Sequence, residues 1–283
     1  MGNPLPGTVV PTSSLVTPGG PQGPSGATAA IETYTAPGLG PGFSQRWQVR
    51  SDFTDPLNST IQANGQVSYG PIPWYLNGTA VAGAGVLEMG SGGGQDIFNK
   101  AYGVWALQSG GTNGNYETLT PNYPSIIAGL GALDIYFRIA FGRIPSAGNV
   151  LYYYMGLSDG PSTTANSIYL RMQWETGLSN CGWMGISNKA STPSTTSATA
   201  TPAIVAFSSS AFSYYNCRIS INAAWTSVSF YANNVLIGTL TTNIPAAGTL
   251  LYPWIYCGMG TPGASQASLY VDDYFLDYQY ALP

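Results

Sequence analysis

Residues Trp225–Pro245, WTSVSFYANNVLIGTLTTNIP, read as one complete β-hairpin. Val228, Phe230 and Ala232 alternate with Ser227, Ser229 and Tyr231; beyond Asn233-Asn234, Val235, Ile237 and Thr239 alternate with Leu236, Gly238 and Leu240. Strict alternation sends each set to its own side of a pleated sheet. Two adjacent asparagines tolerate the positive φ of a two-residue hairpin turn. The register expected from that turn pairs Ala232 with Val235, Phe230 with Ile237 and Val228 with Thr239. One face of the hairpin is then markedly drier than the other.

The rest of the chain from Phe43 onward has the same texture. Strands are expected at 45–50, 67–69, 84–89, 101–107, 133–142, 149–157, 167–174, 181–187, 203–207, 215–222, 226–232, 235–241, 250–258 and 267–280, separated by Gly- and Ser-rich breaks. In DIYFRIAFG (134–142) Ile135, Phe137, Ile139 and Phe141 alternate with Tyr136, Arg138 and Ala140. In IYLRMQW (168–174) Ile168, Leu170, Met172 and Trp174 alternate with Tyr169, Arg171 and Gln173. Both patterns suit antiparallel strands with one covered and one open face. Ser191–Pro202 and Gly90–Gln95 read as low-complexity or flexible breaks. Short helices fit only at 97–100 or 123–128. The expected architecture is an all-β, antiparallel β-sandwich.

Composition bounds the function. Charged residues make up 7% of the 283, against about a quarter in ordinary globular domains. Twelve acids against eight bases leave a net charge of −4, which argues against a nucleic-acid partner. No run of roughly 18 apolar residues occurs, so no membrane insertion is expected, and the N-terminus lacks the pattern of a secretory signal. The surface must be built from Ser, Thr, Asn, Gln, Gly and Tyr, a composition suited to assemblies or to sugars. The chain has no histidine, which excludes Ser-His-Asp and Cys-His catalysis and removes the commonest metal ligand. Cys181, Cys217 and Cys257 form no CxxC pair, so they read as small buried hydrophobes, with a Cys217–Cys257 bridge across neighbouring strands as the alternative.

Residues 1–42 stand apart. They are dense in Pro, Gly, Ser and Thr, without strand or helix periodicity, so an extended arm is expected before a 43–283 sandwich domain. Gly20–Gly26, GPQGPSG, is two collagen-type triplets, too few for a triple helix but compatible with three chains running close together. The arm, with Pro18, Pro21 and Pro24, is the expected attachment segment toward a larger partner; the competing reading is a plain linker.

Three segments in order, YNCRISINAAWTSVSFYANNVLIGTLTTNIP, LYPWIYCGM and SLYVDDYFLDYQY, resemble the last part of a concanavalin A-like (lectin/glucanase, laminin-G-like) jelly roll. The resemblance spans roughly 130–283, and 43–130 more loosely, with Asn-Asn where Asn-Gly or Asp-Gly is commoner. A second resemblance is one of layout: a Pro/Gly arm before a low-charge Ser/Thr/Gly/Tyr-rich β domain is similar to tailed-phage head fibres, capsid decoration proteins and tail-fibre tips. What these resemblances imply is a non-enzymatic virion structural protein on the particle surface. The arm would bind capsid or tail proteins, the chain would form a homotrimer, and the sandwich would display a surface for host glycans. Tail-fibre receptor binding and a polysaccharide-degrading enzyme are the alternatives.

Glucanases of this fold carry E-x-D-x-E-type carboxylates on one strand, and no such triplet occurs here. Asp272, Asp273 and Asp277 are the only acidic cluster; Asp273 and Asp277 should share a strand face and Asp272 should point the other way. A structural role is the leading expectation for them, with calcium ligation by Asp272 and Asp273 as the second reading. Tyr152-Tyr153-Tyr154 must show rings on both sides of its strand, so at least one leaves the core. The face carrying Tyr169, Arg171 and Gln173, together with Trp183, is the candidate carbohydrate surface. The same residue types anchor subunit interfaces, and that competing reading is the weightier. The sequons at Asn58 and Asn77 match a short pattern that a Ser/Thr/Asn-rich chain produces by chance.

Overall fold

The computed structural model describes residues 31–33, 44–51, 66–69, 72–78, 105–109, 116–121, 126–145, 150–160, 165–175, 180–205, 213–260 and 267–281. These residues form strands joined by turns, in the order β1 (Ile31–Thr33), β2 (Ser44–Ser51), β3 (Gln66–Tyr69), β4 (Ile72–Gly78), β5 (Trp105–Gln108), β6 (Tyr116–Pro121), β7 (Ile126–Ile127), β8 (Gly131–Phe141), β9 (Leu151–Ser158), β10 (Ser167–Glu175), β11 (Asn180–Lys189), β12 (Thr192–Thr195), β13 (Tyr215–Ile221), β14 (Val228–Ala232), β15 (Val235–Leu240), β16 (Leu250–Met259) and β17 (Ser268–Ala281). Two antiparallel sheets result. The first runs β1-β2-β17-β8-β13-β14-β15, with β5 also on β17; the second runs β12-β11-β10-β9-β16-β6-β4-β3, with β7 on β16. Among the described residues no helix is long and apolar enough to cross a membrane.

The expected alternation places the core. Ile135, Phe137, Ile139 and Phe141 on β8 meet Tyr153, Met155 and Leu157 on β9, Ile168, Leu170 and Met172 on β10, and Ile255 and Cys257 on β16 between the sheets. The hairpin is tied into this layer through Phe230. Its ring sits against Gly185 of β11 so closely that an added Cβ would lie 2.2 Å from it. Only glycine permits that approach between the sheets.

The hairpin turn is as the sequence predicts: Asn233 and Asn234 have φ of 48° and 64°. The register is not. A bulge between Phe230 and Tyr231 sets Phe230 opposite Gly238 and Val228 opposite Leu240. Ile237 and Leu240, three residues apart, are therefore both buried, while Thr239 faces out. Without a bulge, alternation would bury Thr239 and expose Leu240. One inserted residue exchanges them and increases the twist.

Other expectations need correction. Ser191–Pro202 is not all loop: Ala190 and Ser191 turn the chain with positive φ, and β12 pairs with β11. Ile126–Ile127 is a strand on β16 rather than a helix. Residues 203–205 carry no strand. The strands β4, β6, β7 and β12 were not anticipated. Residues Ile31–Thr33, inside the stretch read as arm, pair with β2 at the edge of the first sheet. Pro18, Pro21, Pro24, the Asn58 sequon, Gly90–Gln95 and the expected elements at 84–89 and 97–100 lie outside the described residues. Cys217 and Cys257 do not lie on neighbouring strands, since Cys217 belongs to β13 in the first sheet and Cys257 to β16 in the second, and no bridge joins them. All three cysteines are free and buried, and burial raises their thiols well above the ordinary range, Cys181 to about 11.

Candidate functional site

The outer face of the second sheet is where aromatic residues gather. Along β16, Leu250, Tyr252, Trp254 and Tyr256 alternate outward, a stripe of about 20 Å at strand spacing. On β9 the three consecutive tyrosines divide as their alternation requires. Tyr153 is fully buried in the core, where its hydroxyl donates to the Arg143 carbonyl at 2.8 Å and accepts from the Ser268 amide at 3.2 Å. Tyr152 and Tyr154 go to the outer face.

Register then builds a ring cluster. Tyr256 lies directly opposite Tyr154, and Tyr154 directly opposite Arg171. Tyr154 and Tyr256 stack at 4.8 Å with planes 16° apart, and Tyr116 of β6 continues the stack on Tyr256 at 5.5 Å. Those separations match the spacing of neighbouring strands. In the next row Trp254 and Tyr169 both flank Gly156, and their rings meet edge to face at 5.5 Å although their strands are not adjacent. Gly156 makes this contact feasible: a Cβ there would lie 2.1 Å from the Ile168 carbonyl oxygen. Met184 and Ile186 of β11 close the cluster, with Arg171 donating from Nη2 to the Met184 sulfur at 3.0 Å.

Burial sorts these residues by role. Trp254 is 1% exposed and Tyr169 6%, so they support the face from beneath. Tyr116, Tyr152, Tyr154 and Tyr256 are half-buried, as are Arg171 and Gln173. The accessible part is therefore a row of phenol rings and hydroxyls beside a guanidinium and an amide. Burial holds the phenolic protons: it raises Tyr154 and Tyr169 above the ordinary tyrosine value, and Tyr256 to about 12. The Tyr154, Tyr169 and Tyr256 hydroxyls are thus neutral at physiological pH, able to donate and accept.

The sequence-derived set is split by the structure. Tyr169, Arg171 and Gln173 share this face. Trp183 does not: it pairs with Met172, is fully buried in the core against Phe141 and Tyr215, and donates its indole N–H to the Pro202 carbonyl at 2.9 Å. Of the rings that join the face instead, Tyr152, Tyr154, Trp254 and Tyr256 carried a signal in the period-2 aromatics of YPWIY and YYY, and Tyr116 carried none.

The acidic cluster sits on the opposite side of the sandwich, on the outer face of the first sheet. A bulge between Val271 and Asp273 swings Asp272 onto the same face as Asp273 and Asp277, correcting the expectation that it points inward. Each carboxylate meets an arginine: Asp272 with Arg138 at 2.9 Å, Asp273 with Arg50 at 3.0 Å and Asp277 with Arg46 at 2.5 Å, while Asp134 takes Arg218 at 2.8 Å. Among the described residues no group of three or more Asp, Glu, Cys or His is placed to hold a metal.

No protein-family model and no curated protein matches the sequence. Solved structures do match. A protein of unknown function from Shewanella oneidensis MR-1 is similar at a TM-score of 0.51, with 15% identity over 90% of each chain. An endo-1,3-beta-glucanase from Streptomyces sioyaensis is similar at a TM-score of 0.51, with 14% identity over 88% of this chain and all of that one. At such identities the likeness is one of fold. The chain is an all-β, antiparallel two-sheet sandwich, and the jelly-roll fold is what it shares with that glucanase.

Proposed function

We propose that this chain is a non-enzymatic structural protein of a tailed-phage virion, of capsid-decoration or head-fibre type, whose sandwich adheres to neutral glycans. The observation that carries the adhesive reading is the tyrosine face of the second sheet. Half-buried rings offer apolar surface to sugar C–H groups, while phenol hydroxyls, Arg171 and Gln173 supply donors and acceptors for sugar hydroxyls. Trp254, Tyr169 and Gly156 hold those rings in place before any ligand arrives, which lowers the ordering cost of binding. Among the described side chains of this face there is no carboxylate; Glu117, on β6, is opposite Cys257 and turned to the core. The groups described on this face, phenol rings and hydroxyls beside a guanidinium and an amide, support holding a sugar.

The virion setting rests on the Pro/Gly-rich segment 1–42 with its collagen-type triplets, which suits mounting a trimer on a particle through capsid or tail proteins. Weak single contacts then gain strength from copy number. No cofactor is invoked. Retention of the chain on insoluble neutral polysaccharides tests the adhesive reading: Tyr154→Ala with Tyr256→Ala should weaken binding at least about tenfold while the domain melts cooperatively. Unchanged retention sinks it. Release of reducing sugars from the same polysaccharide would instead establish the enzyme. Locating the protein on particles separates decoration, with many copies on the head, from receptor binding, with a few at the tail.

A further inference from the structure

The first sheet carries a feature that the tyrosine face does not explain. Arg50, Phe275, Tyr136, Arg218, Tyr231 and Leu236 lie directly opposite one another on β2, β17, β8, β13, β14 and β15, forming one row across six strands. Tyr136 is 37% exposed and Leu236 53%. The Tyr136 and Phe275 rings meet at 5.7 Å with planes 42° apart, and the Arg218 guanidinium lies 5.5 Å from the Tyr136 ring and 5.4 Å from that of Tyr231. At one end, Arg50, Tyr136, Asp273 and Phe275 line an open groove of about 380 Å³, within the size range of small-ligand sites.

Four of the chain's eight bases pair with four of its twelve acids on this one face. Surface ion pairs add little to stability, about 0–1 kcal/mol each. Stability is therefore a poor reason to concentrate them here in a chain so short of charge. Rings flanked by a carboxylate and a guanidinium are instead the groups that recognise a polyol.

We infer that this groove is a second saccharide site, separate from the tyrosine face and specific for neutral sugars. Tyr136 and Phe275 carry the apolar side of a pyranose. The Asp273 oxygens accept from its hydroxyls, and Arg50 donates to them. Neutrality follows from the pairing: an acidic sugar would have to displace Asp273 from Arg50, 3.0 Å away, and would then face the displaced charge. The inference shares its ligand class with the proposed function but not its site. With sites on opposite faces, one domain could hold two glycan chains, which raises avidity without trimer formation.

The test is calorimetric titration of the full chain with neutral glucose, mannose and galactose hexasaccharides and with a uronic acid hexasaccharide. Two sites per chain are expected for a neutral oligosaccharide. Tyr136→Ser and Asp273→Asn should each abolish one or weaken it at least about tenfold, and Tyr154→Ala with Tyr256→Ala should abolish the other. One site per chain, lost only with the Tyr154 and Tyr256 changes, overturns this inference and leaves the proposed function standing. No binding by the unaltered chain overturns both. Preferential binding of the uronic acid probe at Tyr136 overturns the specificity. Melting curves confirm that each variant is folded.

Discussion

The two outer faces of the sandwich solve the same problem in opposite ways. Each is a broad antiparallel sheet surface that no described strand covers. The second sheet closes its own surface with rings: Trp254 and Tyr169 are almost wholly buried by Tyr154, Tyr256, Met184 and Ile186, a second hydrophobic cluster outside the main core. The first sheet keeps its surface wet with Arg–Asp pairs, and its rings Tyr136 and Phe275 stay open between them. The difference is that one face carries stability as well as the adhesion proposed for it, and the other carries its proposed site with almost no stability. An outward-facing residue in a strand pattern is therefore not by itself a dispensable one.

The largest expected effect breaks or confirms that contrast directly. Trp254→Ala removes a ring that is 1% exposed and should cost about 3–5 kcal/mol in denaturant unfolding, as a core truncation does. Tyr136→Ala on the other face should cost within about 1 kcal/mol. Equal losses would abolish the distinction between the faces.

The buried tyrosines of the second face and the Asp277 carboxylate of the first should also fail at opposite ends of the pH scale. Tyr154, Tyr169 and Tyr256 have values raised by burial, so the folded state binds their protons more tightly than the unfolded chain does. Their contribution is complete below the ordinary tyrosine value of 10.0 and is lost as pH rises from there through the value of about 12 at Tyr256. Asp277 is held below the ordinary 3.8 by its hydrogen bonds and charge pairing with Arg46. Its contribution is complete above that value and is lost as pH falls through the lowered one. Melting temperature measured across pH should drop steeply on the alkaline side. Tyr256→Phe should lessen that drop in part, because burial also raises Tyr153, Tyr274, Cys217 and Cys257, and should leave the acid limb unchanged; Asp277→Asn should flatten the acid limb and leave the alkaline one unchanged. A variant that alters the wrong limb would show the assignment of the two faces to be mistaken.

A smaller effect is expected from single ion pairs. Asp134→Ala breaks the pair with Arg218 on a half-exposed surface, and the loss in unfolding free energy should stay within about 1 kcal/mol. The smallest concerns metal. Asp272 and Asp273 are engaged by Arg138 and Arg50, so melting curves with calcium and with a chelator should superimpose. A rise of several degrees with calcium would return those carboxylates to the ligand reading.

Legibility followed the range of the forces involved. The Asn233-Asn234 turn and the faces of β8 and β10 could be read because dihedral preference and alternation act within a few residues. The two bulges could not. Thr239 and Leu240 change places because Leu240 has a core to enter on the far side, and Asp272 turns outward because Arg138 waits on β8. Trp183 shows the same limit. Its strand was expected, but whether its ring joined Tyr169 or Met172 depended on the register between β10 and β11. The tyrosine face was half visible: Tyr152, Tyr154, Trp254 and Tyr256 are spaced two apart within their strands, yet nothing local brings residues 116, 154, 171 and 256 side by side.

By itself the sequence determined an antiparallel β-sandwich, the turn of its defining hairpin and a surface nearly without charge, since these follow from residue preferences and composition. Only the tertiary structure decided that Trp183 belongs to the core, that Tyr116, Tyr154 and Tyr256 form one stack, and that each aspartate of the terminal strand meets an arginine from a neighbouring strand. Those outcomes depend on strand register, and register is chosen by what packs across the sheet and between the sheets, not by the strand alone.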